Sequence, residues 1–293
     1  MVRELAADGF DVAVARRVLK VSRSGYYDWR DRPPSSREQD NKLLLKHIEA
    51  IHVESRGTYG WPRVHAELVL GMGVNVNHKR VARLMREARI QGLYRRRRRG
   101  CTIRNPAEEP TEDLVNRKFT VESPNRLWLT DITEHPTKEG KVYCAAVMDA
   151  YSRRIIGWSI DNHMRTELVI DALGMATLRR KPESGNTILH SDHGSQFTAW
   201  AFGQRLRAAG ILPSMGSVGD CYDNSMMESF WGTLQLEVLD TKTWQTRDEL
   251  ATAIFEWIEC WYNPERRHSR IGMLSPAEFE ARNPQRPSPH HDR

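Results

Sequence analysis

The pattern of apolar residues changes period at residue 126, and that change limits the fold more than any other feature. Residues 126–134, 142–148 and 155–161 read as three consecutive strands joined by short turns. A helix follows over 167–178, a fourth strand over 187–191, a helix over 199–209 and a strand over 211–215. Two further helices complete the series, one around Glu228 and one over 248–261. Strands alternating with helices in this way predict an α/β core.

Three acidic residues fall at informative places in that core. Asp131 lies within the first strand, in Trp128-Leu129-Thr130-Asp131-Ile132-Thr133, and Asp192 at the end of the fourth, in Leu189-His190-Ser191-Asp192-His193-Gly194. Glu228 opens a run with apolar residues at Met227, Phe230, Leu234 and Val238, which is helical spacing. Two strand carboxylates and one helix carboxylate can converge at one edge of a sheet. Hard divalent cations such as Mg²⁺ prefer carboxylate oxygens, and three of them more than neutralise one ion, which leaves room for a pair balanced partly by substrate phosphate. Two metals about 3.5–4 Å apart suit an in-line phosphoryl transfer. Taken singly, each acid also fits a structural role: Asp131 a strand-end turn, Asp192 an Asx-turn before Gly194, and Glu228 the far end of a capping box from Ser225.

The acids sit among other words in a fixed order. These are Trp128-Leu-Thr-Asp131, Val147-Met-Asp149-Ala-Tyr-Ser152-Arg153, Ser191-Asp192-His-Gly194-Ser-Gln196-Phe197, Cys221-Tyr-Asp-Asn224, Met227-Glu228-Ser-Phe230-Trp-Gly232, and Tyr262-Asn263 through Arg266, His268 and Ser275-Pro276-Ala277-Glu278. Over nearly the whole chain this resembles DDE transposases related to retroviral integrases, and in particular insertion-sequence transposases encoded by the second of two overlapping reading frames. Thirty-five residues separate Asp192 from Glu228. The resemblance implies a ribonuclease H-like core in which Asp131, Asp192 and Glu228 are catalytic and hold two Mg²⁺ ions, with Mn²⁺ able to substitute. It implies cleavage at insertion-element ends and transfer of the 3′-hydroxyl strand to target DNA, with no covalent protein–DNA intermediate.

The implied partners are terminal inverted-repeat DNA, target DNA and further copies of the chain, since two ends are handled in one complex. In such elements the active enzyme is often a fusion with an upstream-frame product, and no sustained heptad is present here. His190, on the face of Asp192, and Gln196 and Asn224, on family words, are expected to support the acids, while Arg266 and His268 are expected to contact DNA. Seven residues after the glutamate these transposases usually carry Lys or Arg, aimed at the terminal phosphates; this chain has Gln235. An amide bonds a phosphate oxygen without neutralising it, so Gln235 is expected to contact the DNA and hold it more weakly, unless another cation, Arg266 or Arg267, fills the role. Asp149 and Glu134 are read as structural. Retroviral integrases carry a zinc module of paired histidines and cysteines, but no cysteine lies among His47, His52, His65 and His78, so no structural zinc is expected.

The ends of the chain differ in charge. Residues 1–104 hold 23 Lys and Arg against 11 Asp and Glu, and the remainder 21 against 27, within an overall formal charge of +6. A basic first third is the electrostatic footprint of a nucleic-acid partner. Residues 1–32 read as a helix-turn-helix with Ser22 capping its last helix, 33–40 as a linker, and 41–100 as a second helix-turn-helix module. That module offers Arg63, and on its last helix Lys79, Arg83 and Arg86 opposite Val81, Leu84 and Met85. Arg95, Arg96, Arg97, Arg98 and Arg99 form a run suited to phosphates rather than base edges. Residues 101–120 read as a linker, 121–285 as the catalytic core and 286–293 as a tail.

Cys101, Cys144, Cys221 and Cys260 are too scattered for a zinc site or disulfide scaffold and are expected as free thiols. The longest apolar run, 143–148, is far too short to span a bilayer, and no apolar segment near Met1 resembles a signal peptide. A cytoplasmic, nucleoid-associated enzyme without a membrane partner is the expectation. Two other readings stay open on the residues. A non-catalytic DNA-binding regulator is opposed by the complete acid set. A Mg²⁺ nuclease of the same fold acting on RNA–DNA hybrids would not need the amino-terminal helices.

Overall fold

The computed structural model describes residues 1–94, 121–191, 195–215 and 225–284. Asp192, Asn224, the Arg95–Arg99 run, Cys101 and Cys221 lie outside the described residues. Three short helices, α1 (Val2–Ala7), α2 (Val12–Val18) and α3 (Arg23–Asp31), enclose a small apolar centre of Val2, Ala15 and Tyr26. Ser22 caps α3 as expected, its Oγ accepting from the Gly25 amide at 3.0 Å. The linker expected over 33–40 is shorter than that, because α4 (Ser36–Glu54) starts at once. Ser35 and Glu38 close a capping box, so the two serines after Pro33-Pro34 start a helix rather than extend the break. The second helical module therefore begins at Ser36 rather than at residue 41. It continues through α5 (Trp61–Ala66), prolonged by a π-helical stretch Glu67–Gly71, to α6 (His78–Glu87).

The core is a sheet of β1 (Leu127–Thr137), β2 (Gly140–Asp149), β3 (Ile155–Asp161), β4 (Ile188–Ser191) and β5 (Leu212–Met215) in the order β3-β2-β1-β4-β5. The first three are antiparallel and β4 and β5 run parallel to β1. β1 extends three residues beyond its expected end because it pairs with β2 up to Thr137 opposite Gly140. Strand alternation divides the sheet into two faces. Trp128, Ala145, Val147, Ile156 and Leu189 pack beneath α7 (Thr166–Arg180) and α9 (Trp200–Ala208), which follows the short α8 (Ser195–Thr198). Gly157 sets the approach of α7: a Cβ there would lie 2.2 Å from the Ala172 carbonyl oxygen. Leu127, Leu129, Ala146 and Met148 face the other way, onto α10 (Ser225–Glu237) and α11 (Arg247–Glu256) with its π-helical continuation Trp257–Tyr262.

That second face also receives the helical module, which is not a separate bead on a linker. Leu44, Ile48, Ile51, Tyr59, Val64 and Leu68 belong to the same buried cluster as Phe230, Trp257 and Trp261. Tyr59 is 2% exposed; its ring lies 5.5 Å from that of Trp261, its hydroxyl accepts from the Arg267 amide at 2.8 Å, and it donates to the Glu265 carbonyl at 3.3 Å. Burial pushes the Tyr59 phenol up to about 12, so it stays a donor at any working pH. Arg63 donates from Nε to the Arg267 carbonyl at 2.9 Å. Arg267 pairs with Glu67 of the helical module and with Glu278 of α12 (Pro276–Arg282).

Candidate active site

Asp131 occupies the middle of β1, opposite Ala146, on the face turned towards α10. Its Oδ1 accepts from the Ile132 amide at 2.8 Å and its Oδ2 from the indole Nε1 of Trp231 at 3.0 Å. Trp231 follows Glu228 by three residues, so the two side chains share one flank of α10. Met227, Phe230 and Leu234 bury the helix against the core, and Phe230 packs on Trp231 with ring centroids 4.7 Å apart. Buried on that stripe and tethered through Trp231, α10 holds Glu228 exposed beside the strand that carries Asp131.

β4 lies parallel to β1 with Leu129 opposite His190. Asp131 stands two residues past that pair on one chain segment, and Asp192 two residues past it on the other, though Asp192 itself lies outside the described residues. His190 is buried between β1 and β5, its Nδ1 3.1 Å from Ser214 Oγ. Gln196 is half-buried and its amide donates to the Met164 carbonyl at 3.4 Å. Asn224 lies outside the described residues. Among the described residues no cluster of three or more His, Cys, Asp or Glu side chains is placed to hold a metal, so the described part of the site is the Asp131–Trp231–Glu228 arrangement. Sequence reading passed over Trp231. The signal that could have found it is its spacing from Glu228 at one helical turn.

Asp149 and Glu134 behave as structural residues. Asp149 is fully buried and accepts from the Asn125 and Tyr151 amides at 3.0 and 3.1 Å, fixing the turn after β2. Burial raises its pKa to about 6, against the pull of those amides and of Arg180. Glu134 pairs with Lys141 across the hairpin at 2.7 Å.

The cations divide into two groups. Lys79 and Arg86 are exposed on α6, opposite buried Val81, Leu84 and Met85; Arg83 is half-buried beside them and exchanges a surface ion pair with Glu87 at 2.9 Å. Arg266 and Arg267 are both paired with carboxylates of the protein itself. Arg266 bonds Glu237 from Nε at 3.0 Å and from its terminal nitrogen at 2.8 Å, with both partners about nine-tenths buried or more, and Arg267 is spent on Glu67 and Glu278. A guanidinium so committed cannot replace the missing cation at position 235 without stranding a carboxylate. Gln235 turns its amide to Asp240 at 2.5 Å. His268 is buried against the Tyr262 ring, 4.9 Å between centroids. Burial, then Arg266, Arg63 and Arg153, hold its pKa well below the ordinary histidine value, so it carries no charge to a phosphate. Cys144 and Cys260 are free thiols, as expected. Among the described residues no helix is long and apolar enough to cross a membrane.

Comparison with known proteins shows the family. Integrase core domain models match residues 121–221 and 209–276, and an HTH-like domain model matches residues 38–98. The chain is 40% identical to the insertion element IS600 "uncharacterized 31 kDa protein" of Shigella sonnei over 90% of this chain and 96% of that one. It is 36% identical to the transposase for insertion sequence element IS904 of Lactococcus lactis, over 86% of this chain and 99% of that one. It is also 36% identical to the transposase InsF for insertion sequence IS3A of Escherichia coli K12, over 94% and 95%. The chain therefore belongs to the insertion-sequence transposases, DDE polynucleotidyl transferases with an HTH-like module ahead of an integrase core.

Proposed function

We propose that Asp131, Asp192 and Glu228 form one active site that cuts a phosphodiester at each end of the insertion element and then joins the freed 3′-hydroxyl to target DNA. The observation that carries this reading is the 3.0 Å bond from Trp231 to Asp131, which ties the helix bearing Glu228 to the strand bearing Asp131. The parallel register of β1 and β4 supports adding Asp192 as the third acid. The donor set is carboxylate oxygen, which suits Mg²⁺ or Mn²⁺ and not the softer metals. When bound, a pair of such ions supplies charge neutralisation and a template for in-line displacement.

The protein's own share is position and charge. Trp231 and the Ile132 amide orient the Asp131 carboxylate at the edge of the site. Glu228, exposed on α10, meets the DNA strand as it arrives. Water attacks in the first step and the element's 3′-hydroxyl in the second, so no side chain serves as nucleophile. The basic helical module and the Arg95–Arg99 run hold inverted-repeat and target DNA, two copies or more of the chain bring two ends together, and the product of an upstream frame joins by fusion. DNA binding on this scale places the enzyme on the nucleoid. The module boundaries follow as 1–32, 36–100 and 121–285, with a linker at 101–120 and a tail at 286–293.

Substitution of each acid tests the assignment. Asp131→Ala, Asp192→Ala and Glu228→Ala should each abolish joining of a labelled element end to plasmid in Mg²⁺ while leaving end binding within a few-fold, because metal ligands act on the transition state more than on ground-state affinity. A variant that still joins in Mg²⁺ removes its residue from the site.

A further inference from the structure

On the flank of α10 away from Asp131 lies a polar cavity of about 340 Å³ whose walls come from four parts of the chain. Arg63 enters from the helical module, Arg153 from the turn between β2 and β3, and His268 and Arg270 from the segment after Tyr262. Ser229 and Thr233, one turn apart, line it from α10. Successive residues on a helix turn through roughly 100°, so this stripe and the Glu228–Trp231 stripe border the exposed side of α10 from opposite edges.

The charge in this cavity is unbalanced. Arg266 lines it too, but Glu237 neutralises it. Arg63, Arg153 and Arg270 form no ion pair among the described residues, whereas nearby Arg154, Arg266 and Arg267 all do. His268, 8% exposed, has an Nε2 without a hydrogen-bond partner among the described residues. Arginines this close work against one another: Arg63 is held below the usual guanidinium range by burial and by Arg266, and Arg153 by burial and by Arg270. The Thr233 hydroxyl already donates to the Ser229 carbonyl at 2.8 Å. Guanidiniums without ion pairs, an imidazole with an unpartnered Nε2 and the Ser229 hydroxyl remain as donors without an anion.

We propose that this cavity is a phosphodiester-binding site that clamps the backbone of the DNA strand lying across α10, with Arg63, Arg153 and Arg270 supplying charge and His268 and the Ser229 hydroxyl supplying hydrogen bonds. The proposal rests on the transposase reading of the Glu228 face. With a helix about 10 Å across and a rise of about 3.4 Å per nucleotide, the clamped phosphate lies about three nucleotides from the one being cut. Because Arg63 belongs to the helical module and the rest to the core, the site is complete only where the two are packed together, as their shared buried cluster holds them.

The test compares the full-length wild type with Arg270→Gln, Arg153→Gln/Arg270→Gln and Arg153→Lys/Arg270→Lys. Each is titrated with an element-end duplex over a range of salt, and with duplexes bearing single methylphosphonates near the cleavage site. The slope of log K against log salt should fall by about 0.9 in the double glutamine variant and return in the double lysine variant, since one phosphate contact is lost and regained. One methylphosphonate a few nucleotides from the cut should weaken the wild type and leave the double glutamine variant unaffected. Arg270 is exposed, so its single variant should keep the fold, as melting curves can check, while losing part of the slope. A wild-type slope in the double glutamine variant, or methylphosphonate sensitivity unchanged by it, overturns the clamp. A wild type that never joins ends in Mg²⁺ overturns the transposase mechanism instead, which joining assays on the same protein detect separately.

Discussion

Trp231 shows how one side chain can link a strand carboxylate to a helix carboxylate. Its indole N–H donates to Asp131 while its ring packs on Phe230, so it orients the acid and seats the helix together. Trp231→Phe keeps most of the packing and removes the donor. It should lower strand transfer by roughly 10–100-fold, as loss of an outer partner to a metal-ligating group typically does, and raise the Mg²⁺ concentration for half-maximal activity. Unchanged Mg²⁺ dependence would make Trp231 a packing residue alone. Asp149 illustrates the opposite case, an acid whose charge burdens the fold. With a folded pKa raised to about 6 from 3.8, the native state binds more protons than the unfolded chain between those values. Its contribution to stability is therefore fully present below about pH 4 and is lost as pH rises through about 6. Asp149→Asn should flatten this part of the profile by on the order of 1–3 kcal/mol, read as the difference between wild-type and variant unfolding curves across that window.

Among the elements, α10 concentrates most of the functional geometry on three flanks. One buries Met227, Phe230 and Leu234, one carries Glu228 and Trp231 towards β1, and one lines the arginine cavity. Its end is fixed by Glu237, which accepts from Arg266 and from the indoles of Trp257 and Trp261 at 3.1 and 3.4 Å. Removing the cation leaves a carboxylate buried and short of charge. Arg266→Ala should destabilise the protein by about 3–5 kcal/mol, and adding Glu237→Gln should restore part of that. The salt dependence of DNA binding should stay as in the wild type, which thermal and binding titrations together can check. A lowered slope would return Arg266 to the DNA surface.

At the scale of the whole molecule, the basic helical module and the acidic core meet across Tyr59, Arg63 and Arg267 and share one buried cluster. Gly92 draws the end of the module onto its own turn, where a Cβ would lie 2.3 Å from the Gly60 nitrogen. A shared core melts as a unit. Tyr59→Ala should lower the melting temperature of the full chain through a loss of about 3–5 kcal/mol, within a single transition seen alike by tryptophan fluorescence and circular dichroism. Two separated transitions would show that residues 36–94 and the core fold independently.

The sequence by itself determined the classes of element and the chemistry. Alternation and helical spacing identified the five strands and the helices α7, α9, α10 and α11 of the core, but not the short α8 or α12, because those periods are local and need several turns or residues to show. Asp131 and Glu228 were singled out because family words surround them, and the exposure of Lys79 and Arg86 could be read because a helix with one buried face must expose the other. Only tertiary structure decided which arginines are free. Arg63, Arg153, Arg266, Arg267 and Arg270 look alike in sequence. Glu237, Glu67 and Glu278 sit far enough along the chain that no local pattern reveals whom they neutralise, and an ion pair forms in space rather than in order. The same holds for Trp231, whose partner lies 100 residues away on β1, and for the docking of the helical module, which rests on a tyrosine 206 residues from the carbonyl it holds.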